Sequence, residues 1–453
     1  MKKKLLSSFG ATILSSGLFF SFNFFIAKTL GADTYGQITY YLSFIQIVAL
    51  LISFNYAALY MGNQITREDN NTFSLFISIE SIAFLILSIP AYFIINNYIN
   101  NTEITILILL IAYFLTLTTL VGLKYNAEKK VTASILISAL IPRIILIISF
   151  LSILYFTLGT AKYYLYVYLF SLAFVSGYFL LKFKPNLYIK KDIFKRAWKF
   201  YLLSIIGASF KPLANILQKE YYGYKEVANL SLALLFLAGF YLIGSVLVKF
   251  VLPKIHEAWK KRDLRTIENI YSNNTTLEVL LISPIVVLVL TNVDTAIILL
   301  GESYILLPMY LYILMIGFLP DLFTGITGNI LRSTENEKYE IFNEILVLSS
   351  GLGLIYILKD YKYGVVLAIA ISNFLYNLLK FLEVYFILKI APFNLKKFFL
   401  LVGYMILLVC IFEFLKRIEN FYLELFFSLF VMGIVYLINY KIIQKTNLLK
   451  GFR

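Results

Sequence analysis

Histidine and cysteine are almost absent from this chain, which contains one of each, His256 and Cys410. A single cysteine excludes an intrachain disulfide and any metal site built from several cysteines. A single histidine removes most of the side chains that usually serve in acid–base catalysis near neutral pH. The glycine-rich nucleotide loops and the His-Glu-x-x-His metal motif are also missing. We therefore expect no enzyme activity, no catalytic residue, no metal and no cofactor.

Charged residues are scarce as well, at 14% of the 453 residues, whereas 60% are hydrophobic and the mean hydropathy is +0.83. The apolar residues form about fourteen continuous segments of roughly 20 residues, the length of a transmembrane helix. Backbone groups inside a bilayer must bond within the protein, so such segments are helical. The sequence predicts an all-α polytopic membrane protein with about 14 transmembrane helices. The segments lie near residues 9–30, 38–61, 73–96, 103–123, 132–157, 163–182, 199–219, 227–251, 276–300, 303–330, 340–359, 363–388, 396–415 and 420–440.

The net charge of +15 does not indicate a nucleic-acid partner, because the basic residues are not spread over one surface. Most lie in alternate connections between apolar segments, as the positive-inside rule predicts for cytoplasmic loops. The dense basic run at 182–199 is the clearest example, and Lys416 and Arg417 are the main exception. We expect a multi-pass protein of the bacterial plasma (inner) membrane, in contact with membrane lipids, with both termini in the cytoplasm.

An internal repeat divides the chain. Gly31–Gly36 (Gly-Ala-Asp-Thr-Tyr-Gly) joins two apolar segments, and Gly223–Ala228 (Gly-Tyr-Lys-Glu-Val-Ala) does the same 192 positions later. The copies are six segments apart, an even number, so the repeat is parallel about an axis along the membrane normal. The predicted parts are an N-lobe at 1–182 with helices 1–6, a basic cytoplasmic linker at 183–198, a C-lobe at 199–390 with helices 7–12, and helices 13–14 with a cytoplasmic tail at 391–453.

Basic residues inside predicted spans are candidate site residues, because a charge in the membrane is costly and usually has a function. Arg143 and Lys211 lie deep in the fifth and seventh spans, each beside a proline, and Lys28 lies near the outer end of the first. If they face a central cavity, that cavity is cationic and suits a diphosphate group. For Lys380, an ion pair with Glu383 one turn along the same helix is the simpler interpretation.

Acidic residues inside spans are candidates for coupling to a proton or sodium ion, since burial favours binding of a cation by a carboxylate. Asp321 and Glu80 are the best placed, and pairing with a basic neighbour is the alternative. Polar side chains in the spans could contact sugars or form ordinary hydrogen bonds between helices, and we favour the second interpretation. These are Asn23, Asn215, Gln218, Asn229 and Asn373.

The segment Ala27–Gly36 (Ala-Lys-Thr-Leu-Gly-Ala-Asp-Thr-Tyr-Gly) and the Leu-Pro pair at 252–253 resemble signatures of polysaccharide flippases. Over its whole length the chain resembles the Wzx-type O-antigen and capsule flippases of the multidrug/oligosaccharidyl-lipid/polysaccharide exporter superfamily. The resemblance implies two six-helix bundles in a V shape, with alternating access. It also implies undecaprenyl-pyrophosphate-linked oligosaccharide as substrate, moved from the inner to the outer leaflet, with diphosphate contacts at Lys28, Arg143 and Lys211.

The same resemblance bears on the remaining parts of the chain. Helices 13 and 14 resemble the extra pair of the lipid-II flippase branch, which implies a groove for the lipid tail. The polysaccharide polymerase and the chain-length machinery are the protein partners that this family implies.

Three other functions remain open at this point. A lipid-II flippase would use the same cationic chemistry. A drug/cation antiporter of the same superfamily would favour an acidic cavity, whereas the deepest charges here are basic. A membrane polymerase or acyltransferase would need reactive groups on a large outer loop, and the predicted outer loops are short.

Overall fold

The computed structural model describes residues 2–53, 70–128, 130–156, 159–182, 191–418, 420–446 and 448. Within these ranges every regular element is helical, which confirms the predicted all-α class. The α-helices in chain order are α1 Lys2–Ile52, α2 Asn70–Ile99, α3 Thr102–Ala127, α4 Val131–Ile135, α5 Ile141–Tyr155, α6 Ala161–Lys182, α7 Lys191–Tyr222, α8 Tyr224–Lys260, α9 Leu264–Thr291, α10 Val293–Leu300, α11 Leu307–Thr324, α12 Thr327–Ser333, α13 Glu337–Leu358, α14 Gly364–Glu383, α15 Leu395–Leu415 and α16 Phe421–Lys445. Short π-helical segments at Leu136–Leu140 and Val384–Leu388 join α4 to α5 and extend α14.

Twelve helical segments in the described part of the chain are long and apolar enough to cross a membrane. The first of these, Gly10–Ile52, has 43 residues. At 1.5 Å per residue it is about 65 Å long, roughly twice the thickness of the hydrocarbon core. It therefore holds the first predicted span and residues 38–52 of the second, which are separated at Gly31, where the backbone leaves the helical conformation. The rest of the second predicted span, from residue 54 to 61, lies outside the described residues. Helix α7, which contains the seventh predicted span, is not among the twelve. The chain is a multi-pass membrane protein by these criteria.

The contacts within the chain form two compact units, Met1–Ser231 and Leu232–Arg453, called unit 1 and unit 2 below. Helix α7 belongs to unit 1 because it packs along α1. The predicted linker at 183–198 is described only from residue 191, where α7 begins. The predicted lobes are defined by repeated sequence, whereas the two units are defined by contacts within the chain. The lobe boundaries therefore stay a prediction.

In unit 1, α1 packs against α2, α3 and α7, while α6 packs against α3 and α5. The centre of this packing is a cluster of aromatic and branched side chains on α2, α3 and α6, including Phe73, Phe76, Leu117 and Phe179, all buried. Fully burying one such side chain stabilises a protein in water by about 2 kcal/mol, but inside a bilayer close fit matters more than removal from water.

The two turns of the internal repeat have the same backbone feature. Gly31 has a φ of 77° and Gly223 a φ of 99°, a left-handed region that glycine enters without steric cost. Five residues after Gly31, Gly36 lies against the backbone of Tyr224, where a Cβ atom would be 1.9 Å from the Tyr224 carbonyl oxygen. The repeated turns therefore contact each other inside unit 1, and the contact requires glycine at position 36.

In unit 2, α14 packs against α11 and α13, and α9 packs against α11, α15 and α16. A small residue permits the close contact of α11 with α14: a Cβ on Gly317 of α11 would lie 2.7 Å from the Ala370 carbonyl oxygen of α14. Ile255 of α8 and Ile267 of α9 are fully buried and form part of the packed interior of unit 2.

The last two helices, α15 and α16, are attached to α9 at a break in its hydrogen bonding. Pro284 has no N–H, so the carbonyl of Leu280 one turn earlier has no partner within the helix. The Asn439 amide of α16 donates to that carbonyl at 2.8 Å and to the Tyr404 hydroxyl of α15 at 2.7 Å. The Tyr436 hydroxyl donates to the next carbonyl along α9 at 2.8 Å. One asparagine thus satisfies the carbonyl freed by proline and joins three helices.

Candidate functional site

Arg143, the first predicted diphosphate ligand, lies on α5 just after the π-helical segment Leu136–Leu140. Pro142 precedes it and cannot donate a helical hydrogen bond, so the widened turn occurs where the helix ladder is interrupted. The Arg143 Nη1 donates to the Ser15 carbonyl at 2.9 Å and to the Ser15 Oγ at 2.7 Å. Its guanidinium also lies over the Phe19 ring, 4.6 Å from the centroid. Arg143 therefore contacts α1 within unit 1.

Lys28 and Lys211, the other two predicted ligands, also belong to unit 1 and have exposed side chains. Lys211 lies on α7 directly before Pro212. An exposed lysine in a predicted span faces either lipid or a polar space. The described contacts of Arg143 are with Ser15 and Phe19, and neither lysine takes part in them. A diphosphate site of these three cations stays a prediction.

Glu80, a predicted coupling residue, is buried on α2 with 2% of its surface exposed. The residue that sequence reasoning missed is Glu278, buried on α9 with 6% exposed. It lies 198 positions after Glu80, close to the repeat spacing, and the preceding Phe73-Ser74 and Tyr271-Ser272 pairs match at the same spacing. This spacing is the feature of the sequence that could have identified Glu278. Glu80 lies in the third predicted span of the first copy, and Glu278 lies in the third predicted span of the second copy.

Glu278 has polar neighbours on its own helix and small neighbours on α8. The Asn274 amide nitrogen donates to its Oε1 at 2.9 Å, and this pair is buried. A Cβ on Gly244 would lie 3.2 Å from the same oxygen, so glycine there leaves room for the carboxylate. Asp321 is near enough to interact electrostatically with Glu278. The buried Glu278 and the partly buried Asp321 thus share one part of unit 2.

Asp321, the second predicted coupling residue, lies on α11 beside the basic side chain of Lys380 on α14. Their closest N–O distance is 4.0 Å, and the Tyr241 hydroxyl of α8 hydrogen-bonds to Asp321. The predicted Lys380–Glu383 pair is wrong as the main contact, because the Lys380 ammonium points across to α11. Glu383 instead accepts a hydrogen bond from the Asn343 amide at 2.7 Å. Tertiary packing overrides the local one-turn preference here.

Further carboxylates surround Lys380. Glu340 is buried on α13 and pairs with Arg332 of α12 at 2.8 Å. The Lys380 ammonium lies 3.9 Å from the centroid of the Tyr376 ring, and the Tyr376 hydroxyl donates to Glu344 at 2.5 Å. The result is an acid-rich network in unit 2, in which carboxylates outnumber cations. Its members are Glu278, Asp321, Arg332, Glu340, Glu344, Lys380 and Glu383.

The polar side chains considered as sugar contacts form protein hydrogen bonds. The Asn23 and Asn229 amides each donate to a carbonyl one turn earlier on their own helix, at 2.7 and 2.8 Å. The Asn215 amide of α7 donates to the Ser43 hydroxyl of α1 at 3.2 Å. The Asn215 contact is a bond between helices, as the favoured interpretation predicts, whereas these contacts of Asn23 and Asn229 lie within their own helices. Among the described residues no three His, Cys, Asp or Glu side chains are grouped as metal ligands.

No protein-family model and no curated protein sequence matches the chain. Its fold is nevertheless similar to solved transporter structures. The inward closed conformation of the lipid II flippase MurJ superposes with a TM-score of 0.74 at 18% identity, covering 96% of this chain and 98% of that one.

Two solved transporters described as members of the MOP superfamily are also similar in fold. An outward-facing MATE-family multidrug resistance transporter superposes with a TM-score of 0.62 at 16% identity, covering 86% of this chain and 96% of that one. A Pyrococcus furiosus transporter, described as having a binding pocket of reverse polarity that suggests a different function, gives 0.61 at 14% identity, with 86% and 96% covered. At these identities the similarity shows the fold and not the substrate.

Proposed function

We propose that this chain is a flippase that moves an undecaprenyl-pyrophosphate-linked oligosaccharide, the repeat unit of an O-antigen or capsule, from the inner to the outer leaflet. The observation that carries the proposal is Arg143, which lies partly buried in the middle of the apolar helix α5, together with Lys211 in the seventh predicted span. Basic groups at that depth suit a diphosphate and not a cationic drug. The fold shared with a lipid II flippase supports flipping as the reaction class.

The substrate headgroup is charged and hydrated, and the hydrocarbon core that it must cross is about 30 Å thick. Lys28, Arg143 and Lys211 would replace part of the water around the diphosphate. The polyprenyl tail would stay in lipid, beside the extra helices α15 and α16. The protein acts in the bacterial inner membrane with both termini cytoplasmic, and delivers its product to the polymerase and chain-length machinery.

Coupling to a proton or sodium gradient is part of the proposal, with Asp321 and Glu80 as the candidate groups. Both lie in predicted spans, and Asp321 belongs to the acid-rich network. Movement of a cation through such a network would supply the energy for return of the empty carrier.

A lipid-II flippase is the second candidate, because the MurJ structure covers 96% of this chain whereas the MATE structures named above cover 86%. A drug/cation antiporter is the third, and the buried carboxylates of unit 2 are the observation in its favour. The first two share the diphosphate and differ in the sugar.

Complementation separates these functions. The gene is expressed in a strain that lacks its O-antigen or capsule flippase, and in a strain depleted of its lipid-II flippase. We expect surface polysaccharide to return in the first strain. Rescue of only the depleted strain would assign lipid II, and failure in both with increased drug resistance would assign antiport.

Two variants of the protein test the cationic mechanism in the same assay. Arg143→Ala and Lys211→Ala are expected to abolish flipping while the protein remains folded and inserted. Lys261→Ala, which removes an exposed basic side chain paired with Glu257 outside the spans, is the matched control and should retain flipping. Full activity of both intramembrane variants would refute the cationic mechanism.

A further inference from the structure

Glu278 of α9 is a buried carboxyl group that forms no ion pair within the described part of the chain. Its surface is 6% exposed, and its hydrogen bond there comes from the Asn274 amide nitrogen at 2.9 Å. The buried Glu340 of α13, by contrast, has the Arg332 guanidinium at 2.8 Å. Because burying an unpaired charge is costly, a carboxyl group in the position of Glu278 is either neutral or bound to a cation.

The partner amide has an unsatisfied atom of its own. Asn274 is fully buried, and its Oδ1 accepts no hydrogen bond from the described residues. A buried acceptor normally has a donor, so this atom requires an explanation. A carboxylic acid and a primary amide can exchange two hydrogen bonds, one N–H to C=O and one O–H to C=O. The first of these is present between Asn274 and Glu278, and a proton on Glu278 Oε2 would supply the second.

The tyrosine hydroxyls near this face of α9 are already used as donors. The Tyr271 hydroxyl, on the turn before Asn274, donates to the Thr324 carbonyl at 2.7 Å. The Tyr241 hydroxyl of α8 hydrogen-bonds to Asp321. A tyrosine hydroxyl has a single proton, so neither group has a second one to give to Glu278 or Asn274.

The charged groups near Glu278 also favour its neutral form. Asp321 of α11 is a second acidic group within electrostatic range, and the Lys380 ammonium lies 4.0 Å from it. Lys397 of α15 contacts α9 at the Ser272 hydroxyl, at 3.0 Å, and in the described residues it forms no ion pair with Glu278. Like charges repel, and the nearby ammonium contacts Asp321. A proton on Glu278 is therefore the arrangement that leaves the least charge unpaired.

The space around Glu278 suits a proton better than a metal ion. A Cβ on Gly244 would lie 3.2 Å from Oε1, so the backbone of α8 is close to the carboxyl group. A metal ion needs several oxygen ligands around it, whereas a proton needs one donor atom and one acceptor. Within the described ranges no three His, Cys, Asp or Glu side chains are grouped to hold a metal ion. Glu278 and Asn274 by themselves supply what a proton requires.

We propose that Glu278 and Asn274 form a proton-binding site in unit 2. A proton from water binds the Glu278 carboxylate, and the resulting acid donates its O–H to the Asn274 Oδ1 while it accepts from Nδ2. Release of the proton would leave a bare charge and an unsatisfied amide oxygen, so release requires that water or a cation reaches the site. That this exchange drives transport rests on the proposed function, and it adds Glu278 to the candidate coupling residues.

Infrared spectroscopy of the full-length protein in detergent tests the site, because the C=O stretch of a carboxylic acid lies apart from the bands of a carboxylate. The spectrum of Glu278→Gln is subtracted from that of the wild type at neutral pH. We expect an acid C=O band in the difference, which moves to lower frequency in heavy water, and no carboxylate bands. Carboxylate bands in its place would overturn the proposal.

Glu268→Gln is the matched control, since Glu268 is an exposed glutamate on the same helix. Its difference spectrum should contain carboxylate bands and no acid band. Asn274→Leu removes the amide that donates to Oε1, so it should move the acid band of Glu278 to higher frequency. If one of the two variants at the site does not fold, the other still decides whether Glu278 is protonated. An acid band at the same frequency in the wild type and in Asn274→Leu would remove Asn274 from the site.

A change of salt distinguishes the proton from a metal cation. Spectra in sodium chloride are compared with spectra in choline chloride at the same ionic strength and pH. The acid band of Glu278 should be the same in both. A change from acid in choline to carboxylate in sodium would overturn the proton site and assign a sodium site.

Complementation separates this site from the proposed function. Glutamine cannot release a proton as the acid does, so Glu278→Gln should lose flipping, whereas Glu268→Gln should retain it. Flipping at the wild-type level in Glu278→Gln would reject coupling through Glu278 and leave the infrared result on the proton unchanged. A wild type that fails in both strains would reject the flippase, and the acid band would still establish the proton site.

Discussion

Two cations in predicted spans, Arg143 in unit 1 and Lys380 in unit 2, have opposite kinds of neighbours. In unit 1, Arg143 is held by a backbone carbonyl, a hydroxyl and an aromatic ring. In unit 2, Lys380 is held beside Asp321 in a network that contains more carboxylates than cations. Removing a cation from carboxylates leaves bare negative charge, whereas removing one from neutral groups leaves nothing charged behind. Replacing the cation by methionine should therefore have different effects on stability at Lys380 and at Arg143.

The largest expected effect is that of Lys380→Met. It leaves Asp321 and the nearby Glu340 without this cation, and breaking a buried pair costs about 3 kcal/mol. Thermal unfolding in detergent should show the loss as a lower midpoint. The double variant with Asp321→Asn should recover much of it, because the carboxylate is then neutral. Equal midpoints for the single and double variants would contradict the pairing.

Asn439→Leu is expected to have the next largest effect, of about 1 kcal/mol. It removes the donor to the Leu280 carbonyl that Pro284 leaves without a helical partner. In a Pro284→Ala background the helix supplies its own N–H, so Asn439→Leu should cost less there. Tyr436→Phe is the control, because its acceptor carbonyl one residue later faces an ordinary N–H and does not depend on it. Additive effects of Pro284→Ala and Asn439→Leu in thermal unfolding would argue against this account.

Arg143→Met should change stability by less than about 1 kcal/mol, since it removes a poorly compensated charge along with its hydrogen bonds. Transport should nevertheless be lost. The pair of results, a nearly unchanged unfolding midpoint and no complementation, distinguishes a functional cation from a structural one. A midpoint lowered as far as that of Lys380→Met would remove the contrast between the units.

The smallest expected effect concerns Asp263, a carboxylate outside the spans that caps α9. The Thr266 hydroxyl and then the Thr266 backbone N–H donate to it at 2.6 and 3.0 Å, and they lower the pKa of Asp263. A lowered pKa stabilises the folded state above the unfolded-state pKa, and this stabilisation is lost as the pH falls through the folded pKa. Asp263→Asn keeps a capping oxygen without the charge, so its stability should vary less below about pH 4. Identical acid profiles for the two proteins would contradict this role.

Much of the architecture follows from the sequence because bilayer thickness fixes helix length. The hydrophobic segments predicted the helical class, and the repeated glycines at 31 and 223 predicted turns that both have positive φ. Single charges in apolar segments also drew attention to Arg143, Asp321 and Glu80, which lie within helices and are partly or fully buried. These features are local in the chain, so pattern and composition are sufficient to find them.

Partners across helices were harder to predict, because a side chain's direction depends on how helices pack. Spacing favoured Glu383 as the partner of Lys380, and the structure gives Asp321 on another helix. Arg143 was expected in a central cavity, and the structure places its guanidinium on Ser15 within unit 1. Glu278 matches Glu80 only when the two copies of the repeat are compared, and its own span alone does not predict it.

The attachment of α16 at Pro284 has a mechanical consequence. Asn439 bonds α16 to the point at which α9 bends most easily, since the proline has removed one rung of its ladder. The N-terminal end of α16, at Phe421, is 18 residues away, a lever arm of about 27 Å. A change of about 10° in the bend of α9 would then swing that end by about 5 Å through the surrounding lipid. Helix α16 thus amplifies small changes in the bend of α9.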